Sequence, residues 1–156
     1  MSVTHPPLEP VRTIVAEFAR RGWPVAVGGS AVLAWLGLVD VVRDWDVTVD
    51  ADADEVEQAL LRAGFNPEDG TSSAPPFATR RRLTLALPDH ELDVLVGFAV
   101  HEGGAVVPIP VRAVATWNGL PIAHPGDWEL AYRIMGRADR AAALHKALAE
   151  SDWIGR

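Results

Sequence analysis

The chain has 156 residues, of which 49% are hydrophobic, and its formal net charge is −7 at pH 7. This length and hydrophobic content suffice for one full hydrophobic core, so we expect a single domain over residues 1–156. The sequence contains no cysteine, which excludes disulfides, thiolate zinc sites and a cysteine nucleophile, and the acidic charge disfavours a broad nucleic-acid-binding surface.

The sequence shows no targeting or membrane signal. No apolar stretch approaches the roughly eighteen residues that a membrane-spanning helix requires. Acidic residues, prolines and the pair Arg20-Arg21 interrupt any apolar segment near the start of the sequence, so a secretory signal is not expected. We therefore expect a cytoplasmic protein with no membrane partner.

The first part of the chain predicts a helix, a strand and a second helix. Apolar residues at helical spacing predict an amphipathic helix over residues 9–21, which Gly22 ends. The apolar run over residues 24–27 predicts a short buried strand, and Ser30 can cap a helix that continues to Leu36. Gly28 and Gly29 then form the turn between the strand and this helix.

Residues 43–50 alternate between polar and apolar side chains, which predicts a strand with one solvated and one buried face. Asp44, Asp46 and Thr48 share the solvated face, and consecutive members are roughly 6–7 Å apart at a rise of about 3.3 Å per residue. Two such carboxylates can hold one divalent ion or an adjacent pair, and oxygen-only ligands suit Mg²⁺. The alternative is a solvated strand face with a salt bridge to Arg43.

The rest of the chain predicts a mixed sheet with further helices. A helix capped by Asp52 or Asp54 is expected to about Ala63, and a mobile loop is expected over residues 66–77. The expected strands cover residues 82–87, 91–98, 106–109, 111–115 and 120–122, and helices follow from about residue 126 to 135 and from 138 to 149. We therefore expect an α/β (α+β) fold in which helices flank a mixed β-sheet, with a core over about residues 22–123 and a short C-terminal helical tail over about residues 125–152.

Two further features carry chemistry. Gly28 and Gly29 let the backbone approach a ligand, and the following helix favours a phosphate, although a simple turn is the alternative. Asp93 interrupts an otherwise apolar strand, and a buried carboxylate requires a cationic partner. That partner is either a metal ion or, in the structural alternative, Arg82 or Arg112.

The cluster Arg80-Arg81-Arg82 is the densest basic segment of the sequence. It can clamp a triphosphate or an RNA end. The alternative is a solvated loop face whose arginines point in alternate directions. Among the tryptophans, Trp45 is expected to anchor the core behind the acidic strand.

The order of these motifs resembles a known family. Gly-Gly-Ser, a helix, Arg-Asp-x-Asp, a helix and then a lone Asp in an apolar strand resembles the nucleotidyltransferase superfamily with the polymerase-beta-like fold. The chain is most similar to minimal bacterial nucleotidyltransferases related to the toxins of type IV abortive-infection toxin–antitoxin systems. Small antibiotic nucleotidyltransferases share the order of parts, but they commonly have an aromatic residue where Ser30 stands. The resemblance covers residues 23–97 well and the tail loosely.

The resemblance implies an enzyme that moves a nucleoside monophosphate from an NTP, such as ATP, to an acceptor hydroxyl and releases pyrophosphate. The acceptor would be RNA, protein or a small molecule such as an antibiotic, and an antitoxin protein would be a further partner. The alternatives are a non-catalytic relative that binds a nucleotide or a protein, and a purely structural acidic strand.

The resemblance also implies roles for individual residues. Asp44 and Asp46 would hold Mg²⁺, and Asp93 would be the third carboxylate of this metal site, poised to activate the acceptor hydroxyl. Arg133 lies near the position of a lysine that is usual in the family. The expected nucleotide contacts are Gly28, Gly29, Ser30, Arg43, Arg82 and Arg133.

Overall fold

The structure is a computed structural model that describes residues 2–150, and it contains five helices and nine strands in that part of the chain. The helices are α1 Leu8–Arg20, α2 Ser30–Trp35, α3 Ala53–Arg62, α4 Pro125–Ile134 and α5 Ala138–Ala149. The strands are β1 Val25–Val27, β2 Trp45–Val49, β3 Glu68–Asp69, β4 Arg81–Ala86, β5 Glu91–Val96, β6 Ala99–Glu102, β7 Ala105–Pro108, β8 Ala113–Trp117 and β9 Leu120–Ala123. The predicted end of the tail, at about residue 152, lies outside the described residues.

Seven of these strands form one mixed sheet in the order β3-β4-β5-β2-β1-β9-β8. The pairs β2–β5 and β1–β9 are parallel, and the other neighbouring pairs are antiparallel. Strands β6 and β7 form a separate two-stranded antiparallel sheet. Helix α1 packs against β1, β2 and α3, whereas α4 packs against α5 and β6. The predicted fold class, a mixed sheet flanked by helices, is confirmed.

Most predicted elements are present within a few residues of their expected bounds. Asp52 caps α3 as predicted, since its Oδ2 accepts a hydrogen bond from the backbone N–H of Glu55 at 3.1 Å. The sequence prediction missed β3, which lies inside the expected loop, and β6, which begins just after the predicted strand over residues 91–98. Gly97 separates β5 from β6 because its φ of 64° lies in the left-handed region, which interrupts the strand. None of the helices in residues 2–150 is long and apolar enough to cross a membrane.

The acidic strand is more buried than its alternating pattern predicts. Strand β2 begins at Trp45, so Asp44 lies just before it. Trp45 is fully buried and anchors the core as expected, but Thr48 is only 3% exposed and donates a hydrogen bond to the carbonyl of Ala26 at 3.2 Å. The predicted solvated face is therefore wrong at Thr48, which is buried in a central strand and whose hydroxyl is bonded to β1.

Gly28 positions α4 against the sheet. Its backbone N–H donates a hydrogen bond to the carbonyl of Asp46 at 2.8 Å, and a Cβ at this position would overlap the indole ring of Trp128. The Trp128 ring also packs against Phe98, with centroids 4.9 Å apart. The absence of a side chain at Gly28 thus lets Trp128 of α4 pack closely against the sheet. This contact brings the C-terminal helices beside the end of β1.

We predict that Gly28→Ala destabilises the protein by about 1–3 kcal/mol, because the added methyl group forces the Trp128 ring out of its place. Thermal melting measures this change, at about 2–4 °C per kcal/mol for a domain of this size. The control is the same substitution in a Trp128→Ala background, where the methyl group has room. An equal loss in both backgrounds would contradict the prediction.

Candidate active site

Asp46 and Asp93 lie side by side on one face of the sheet. They are register partners on the parallel strands β2 and β5, so their side chains point the same way from strands that are about 4.8 Å apart. Thr84 on β4 is the partner of Asp93 on its other side. The sheet thus brings together two carboxylates that are distant in sequence.

Asp44 lies at the same end of these strands. Its Oδ1 accepts a hydrogen bond from the backbone N–H of Glu91, the first residue of β5, at 3.2 Å. Arg43, the expected salt-bridge partner of this acidic segment, forms no ion pair with Asp44 or Asp46 among the residues that the structure describes. The alternative in which Asp44 and Asp46 only form a solvated strand face paired with Arg43 therefore lacks its salt bridge.

Asp46 carries the strongest electrostatic perturbation of the site. Burial, followed by the nearby charges of Asp93 and Asp44, raises the pKa of Asp46 to about 7. Within residues 2–150, no side-chain or backbone donor forms a hydrogen bond with its carboxylate. The Asp46 carboxylate therefore has free oxygen atoms in surroundings that favour the arrival of a cation.

Asp93, in contrast, has protein partners. Its Oδ2 accepts a hydrogen bond from Arg82 Nη2 at 2.9 Å, and its Oδ1 accepts one from the Thr84 hydroxyl at 2.9 Å. The ion pair with Arg82 is the one that the structural alternative names, whereas Arg112 instead pairs with Asp127. Both oxygens of Asp93 are thus engaged in this structure.

The free carboxylate oxygens of Asp46 and Asp44 suit an Mg²⁺ ion that is bound together with substrate phosphates. No group of three His, Cys, Asp or Glu side chains in residues 2–150 is arranged to hold a metal ion. However, Mg²⁺ is usually bound through one or two carboxylates together with substrate phosphates and water. Asp46 and the second oxygen of Asp44 supply such a partial set, so the donor chemistry suits Mg²⁺ in the company of a nucleotide.

Gly29 lets the carboxylate of Asp46 approach the backbone. Its φ is 59°, and a Cβ at this position would overlap Oδ2 of Asp46. Gly29 is also the residue that precedes α2, and Ser30 is the first residue of that helix, so the predicted capping role of Ser30 is wrong. The turn therefore needs glycine both for its left-handed conformation and for the adjacent acid.

Two neighbouring cavities adjoin these carboxylates and share some of their lining residues. The smaller one has a volume of about 240 Å³, and its polar lining residues are Ser30, Arg43, Asp44, Asp46, Arg137 and Arg140. The larger cleft, of about 370 Å³, shares Asp46, Arg137 and Arg140 with it and continues along Arg82, Asp93 and aromatic walls. Those walls are formed by Phe77, Phe98, Trp128 and Tyr132. A polar cavity thus lies beside a partly aromatic one, and Asp46 lines both.

The basic cluster of residues 80–82 does not act as one group. Arg80 donates a hydrogen bond to the carbonyl of Ala51, and Arg81 pairs with Asp54, each at 2.7 Å. Arg82 alone of the three lines the cleft. The arginines point in different directions, as the alternative interpretation states, but Arg81 and Arg82 lie on strand β4 and not in a loop.

The structure does not bring Arg133 to the site. Its Nη1 lies 3.2 Å from Oε2 of Glu102, and both side chains are at least half exposed. Arg137 and Arg140 line both cavities instead. All three arginines are visible in the sequence. Gly136, with a φ of 80°, separates α4 from α5, so helical spacing counted from Arg133 does not reveal which arginine faces the carboxylates.

We predict that Asp46→Asn stabilises the metal-free protein at pH 8. An aspartate whose folded pKa is raised to about 7 lowers the stability of the fold progressively as pH rises from about 4 to 7, and the loss is complete above pH 7. The gain from asparagine should reach roughly 1–3 kcal/mol at pH 8 and shrink towards pH 5.

Thermal melts in a chelator at pH 5, 6, 7 and 8 measure this gain. Asp50→Asn, on an exposed residue beyond the same strand, is the matched control and should show no such pH-dependent gain. Equal melting temperatures of Asp46→Asn and wild type at every pH would contradict the prediction.

Comparison with solved structures identifies the fold. The chain matches a candidate nucleotidyltransferase from Thermotoga maritima with a TM-score of 0.64 and 21% identity, over 92% of this chain and 93% of that one. It also matches the lincosamide antibiotic adenylyltransferase LnuA bound to lincomycin, with a TM-score of 0.57 and 16% identity over 94% of this chain and 99% of LnuA.

A third similar structure is ANT(2'')-Ia in complex with adenylyl-2''-tobramycin, with a TM-score of 0.56 and 16% identity over 90% of this chain and 88% of that one. Neither a family model nor a curated protein matches the sequence. At these identities the likeness concerns the fold, and it agrees with the resemblance carried by the glycine and aspartate motifs. The chain therefore has the fold of the nucleotidyltransferases.

Proposed function

We propose that this protein is an Mg²⁺-dependent nucleotidyltransferase that moves a nucleoside monophosphate from an NTP to the hydroxyl group of an acceptor. The observation that carries the proposal is the pairing of Asp46 with Asp93 across β2 and β5, next to Asp44. The fold adds support, because LnuA is an adenylyltransferase and ANT(2'')-Ia was solved with an adenylylated antibiotic. These are properties of the neighbours, and for this chain they remain a proposal.

Asp46 and Asp44 are the residues that would hold the metal. When bound, Mg²⁺ supplies positive charge that stabilises the attacking and leaving oxygens of the phosphoryl group. Gly29 contributes by admitting the Asp46 carboxylate close to the start of α2. Asp93 would complete the set of three carboxylates once its contact with Arg82 is exchanged for another.

The smaller cavity suits the triphosphate. Arg43, Arg137 and Arg140 line it together with Ser30, and neither Arg137 nor Arg140 has a carboxylate partner among residues 2–150. Arginine presents a planar fork of donors that matches phosphate oxygens, so two arginines can replace the lysine that is usual in the family. Gly28 and Gly29 are both buried and neither is among the lining residues of the two cavities, so the nucleotide contacts expected of them give way to a role in shaping the turn that leads into Ser30.

In the proposed reaction, the acceptor oxygen forms a bond to the α-phosphorus while the bond from that phosphorus to pyrophosphate breaks. Asp93 would accept the proton of the acceptor hydroxyl, which makes the oxygen a better nucleophile. The Arg82 side chain is 45% exposed whereas Asp93 is 18% exposed, so Arg82 has room to turn from the carboxylate towards a phosphate. This exchange would free Asp93 for the acceptor.

For the acceptor we favour RNA or protein in a toxin–antitoxin setting over a small antibiotic, with an antitoxin as a further partner. Within residues 2–150, the larger cleft is lined by two carboxylates, Asp46 and Asp93, and by three arginines. This balance does not suit a polycation such as an aminoglycoside, since like charges across a binding site repel. NTPs are cytoplasmic substrates, so the proposal includes a cytoplasmic location.

A second candidate function is a non-catalytic protein that binds a nucleotide or a partner. The observation that favours it is the engagement of both Asp93 oxygens by Arg82 and Thr84. Such a protein would bind a non-hydrolysable NTP analogue in calorimetry but would transfer no label.

The proposed function is tested by incubating the protein with each labelled NTP, Mg²⁺ and either total RNA or cell lysate. We expect label on a macromolecule with the wild type and a loss of at least about 100-fold with Asp93→Asn, the size expected for removal of a general base. Asp50→Asn is the control on an exposed carboxylate. Melting temperatures within a few degrees of wild type establish that the variants fold, and full activity of Asp93→Asn would show that Asp93 is structural.

We predict that Arg137→Ala and Arg140→Ala each raise KM for the NTP by about tenfold or more, because a hydrogen bond to a charged group contributes about 1.5–3 kcal/mol. Arg133→Ala removes an equal charge from the surface pair with Glu102 and should change KM less than twofold. Steady-state kinetics at saturating acceptor measure the three variants. A larger rise in KM for Arg133→Ala than for the other two variants would contradict this prediction and support the nucleotide contact that the sequence analysis assigned to Arg133.

A further inference from the structure

Tyr132 connects the two arginines that line both cavities. It is the single tyrosine of the sequence and is only 4% exposed. Its hydroxyl oxygen accepts a hydrogen bond from Arg140 Nη1 at 3.0 Å. The guanidinium carbons of Arg137 and Arg140 lie 5.9 Å and 5.5 Å from the centre of its ring, within the range of a cation–π interaction.

The backbone of Tyr132 holds the same two helices together. Its carbonyl accepts a hydrogen bond from the N–H of Arg137 at 2.8 Å, which ties the start of α5 to the last turn of α4 across Gly136. Its ring packs against Trp128, with centroids 5.5 Å apart, and Trp128 packs in turn against the sheet at Gly28. Tyr132 is therefore held in place by packing, and it can support the flexible side chains of Arg137 and Arg140.

Arg137 and Arg140 need such a support. They carry like charges, line the same cavity and have no carboxylate partner in the part of the chain that the structure describes. An unsupported arginine loses about 2 kcal/mol of rotamer entropy when it is fixed on a ligand. A hydrogen bond and two ring contacts that exist before the ligand arrives reduce this loss.

We propose that Tyr132 is a positioning residue that orients Arg140 through its hydroxyl group for binding the triphosphate part of the nucleotide. This inference rests on the proposed function and deepens it, because it explains how two arginines serve in place of one lysine. Phenylalanine would fill the same volume in the aromatic cluster, so only the hydroxyl group distinguishes positioning from packing.

The experiment uses Tyr132→Phe in the full chain, with sodium tripolyphosphate and a non-hydrolysable NTP analogue as probes in calorimetry. We expect binding of both probes to weaken about five- to tenfold, with a melting temperature close to that of wild type. Kinetics should show a higher KM for the NTP and an unchanged KM for the acceptor. A double-mutant cycle adds Arg140→Ala, in which the same tyrosine change should alter binding less than twofold because its partner is absent.

A spectroscopic measurement separates positioning from packing. Since the chain has one tyrosine, biosynthetic 3-fluorotyrosine gives a single ¹⁹F resonance from residue 132. We expect tripolyphosphate to shift this resonance in the wild type and to leave it unchanged in Arg140→Ala. A tyrosine that only packs in the core would show no such dependence on Arg140.

The outcomes distinguish the inference from the function on which it rests. If the wild type binds both probes and Tyr132→Phe binds them equally well, the positioning role is wrong and the proposed function stands. If the loss is as large in the Arg140→Ala background as in the wild type, Tyr132 acts through the core and the inference also fails. If the wild type binds neither probe, both the inference and the proposed function fail.

Discussion

The main electrostatic constraint on this fold is the burial of the Asp46 carboxylate beside a second carboxylate, Asp93, on the neighbouring strand. Burial removes the water that would stabilise the charge of Asp46, and the like charge of Asp93 adds to this cost. The two acids have different partners: Asp93 has Arg82 and Thr84, whereas Asp46 has no hydrogen-bond donor among the described residues and its pKa rises to about 7. An apolar pair would suit a sheet that only needed stability, and on the proposed function these carboxylates serve to bind a cation.

The position of the positive charge depends on packing some distance from the carboxylates. Gly28 admits the Trp128 ring, which places α4 against the sheet and Tyr132 at the edge of the cleft. The break at Gly136 then turns the chain, so that Arg137 and Arg140 line the cavities next to the acids. A small residue on β1 and a bend in the tail thus decide which arginines approach Asp46.

The sequence predicted the fold class and the shared side of Asp44 and Asp46, because alternation along a strand is a local pattern. The convergence of Asp93 with them was implied only by the family resemblance, since the register between two strands is not a local property. It did not predict the burial of Thr48, which depends on the central place of β2 in the sheet. Nor did it distinguish Arg133 from the arginines after Gly136, since a change of direction in the backbone has no signature in helical spacing. The pairing of Asp93 with Arg82 was one of three open alternatives, beside Arg112 and a metal ion, and side-chain geometry was needed to reveal it.

On the proposed function, the arginines have two different tasks. Arg140 is held by a hydrogen bond to a buried phenol, so it offers a fixed site for phosphate. Arg82 is nearly half exposed and neutralises Asp93 while the nucleotide is absent. A triphosphate brings several negative charges, which compete with Asp93 for Arg82. Asp93 would then become a free base only when the nucleotide is in place, and this dependence would couple activation of the acceptor to the presence of the group that it attacks.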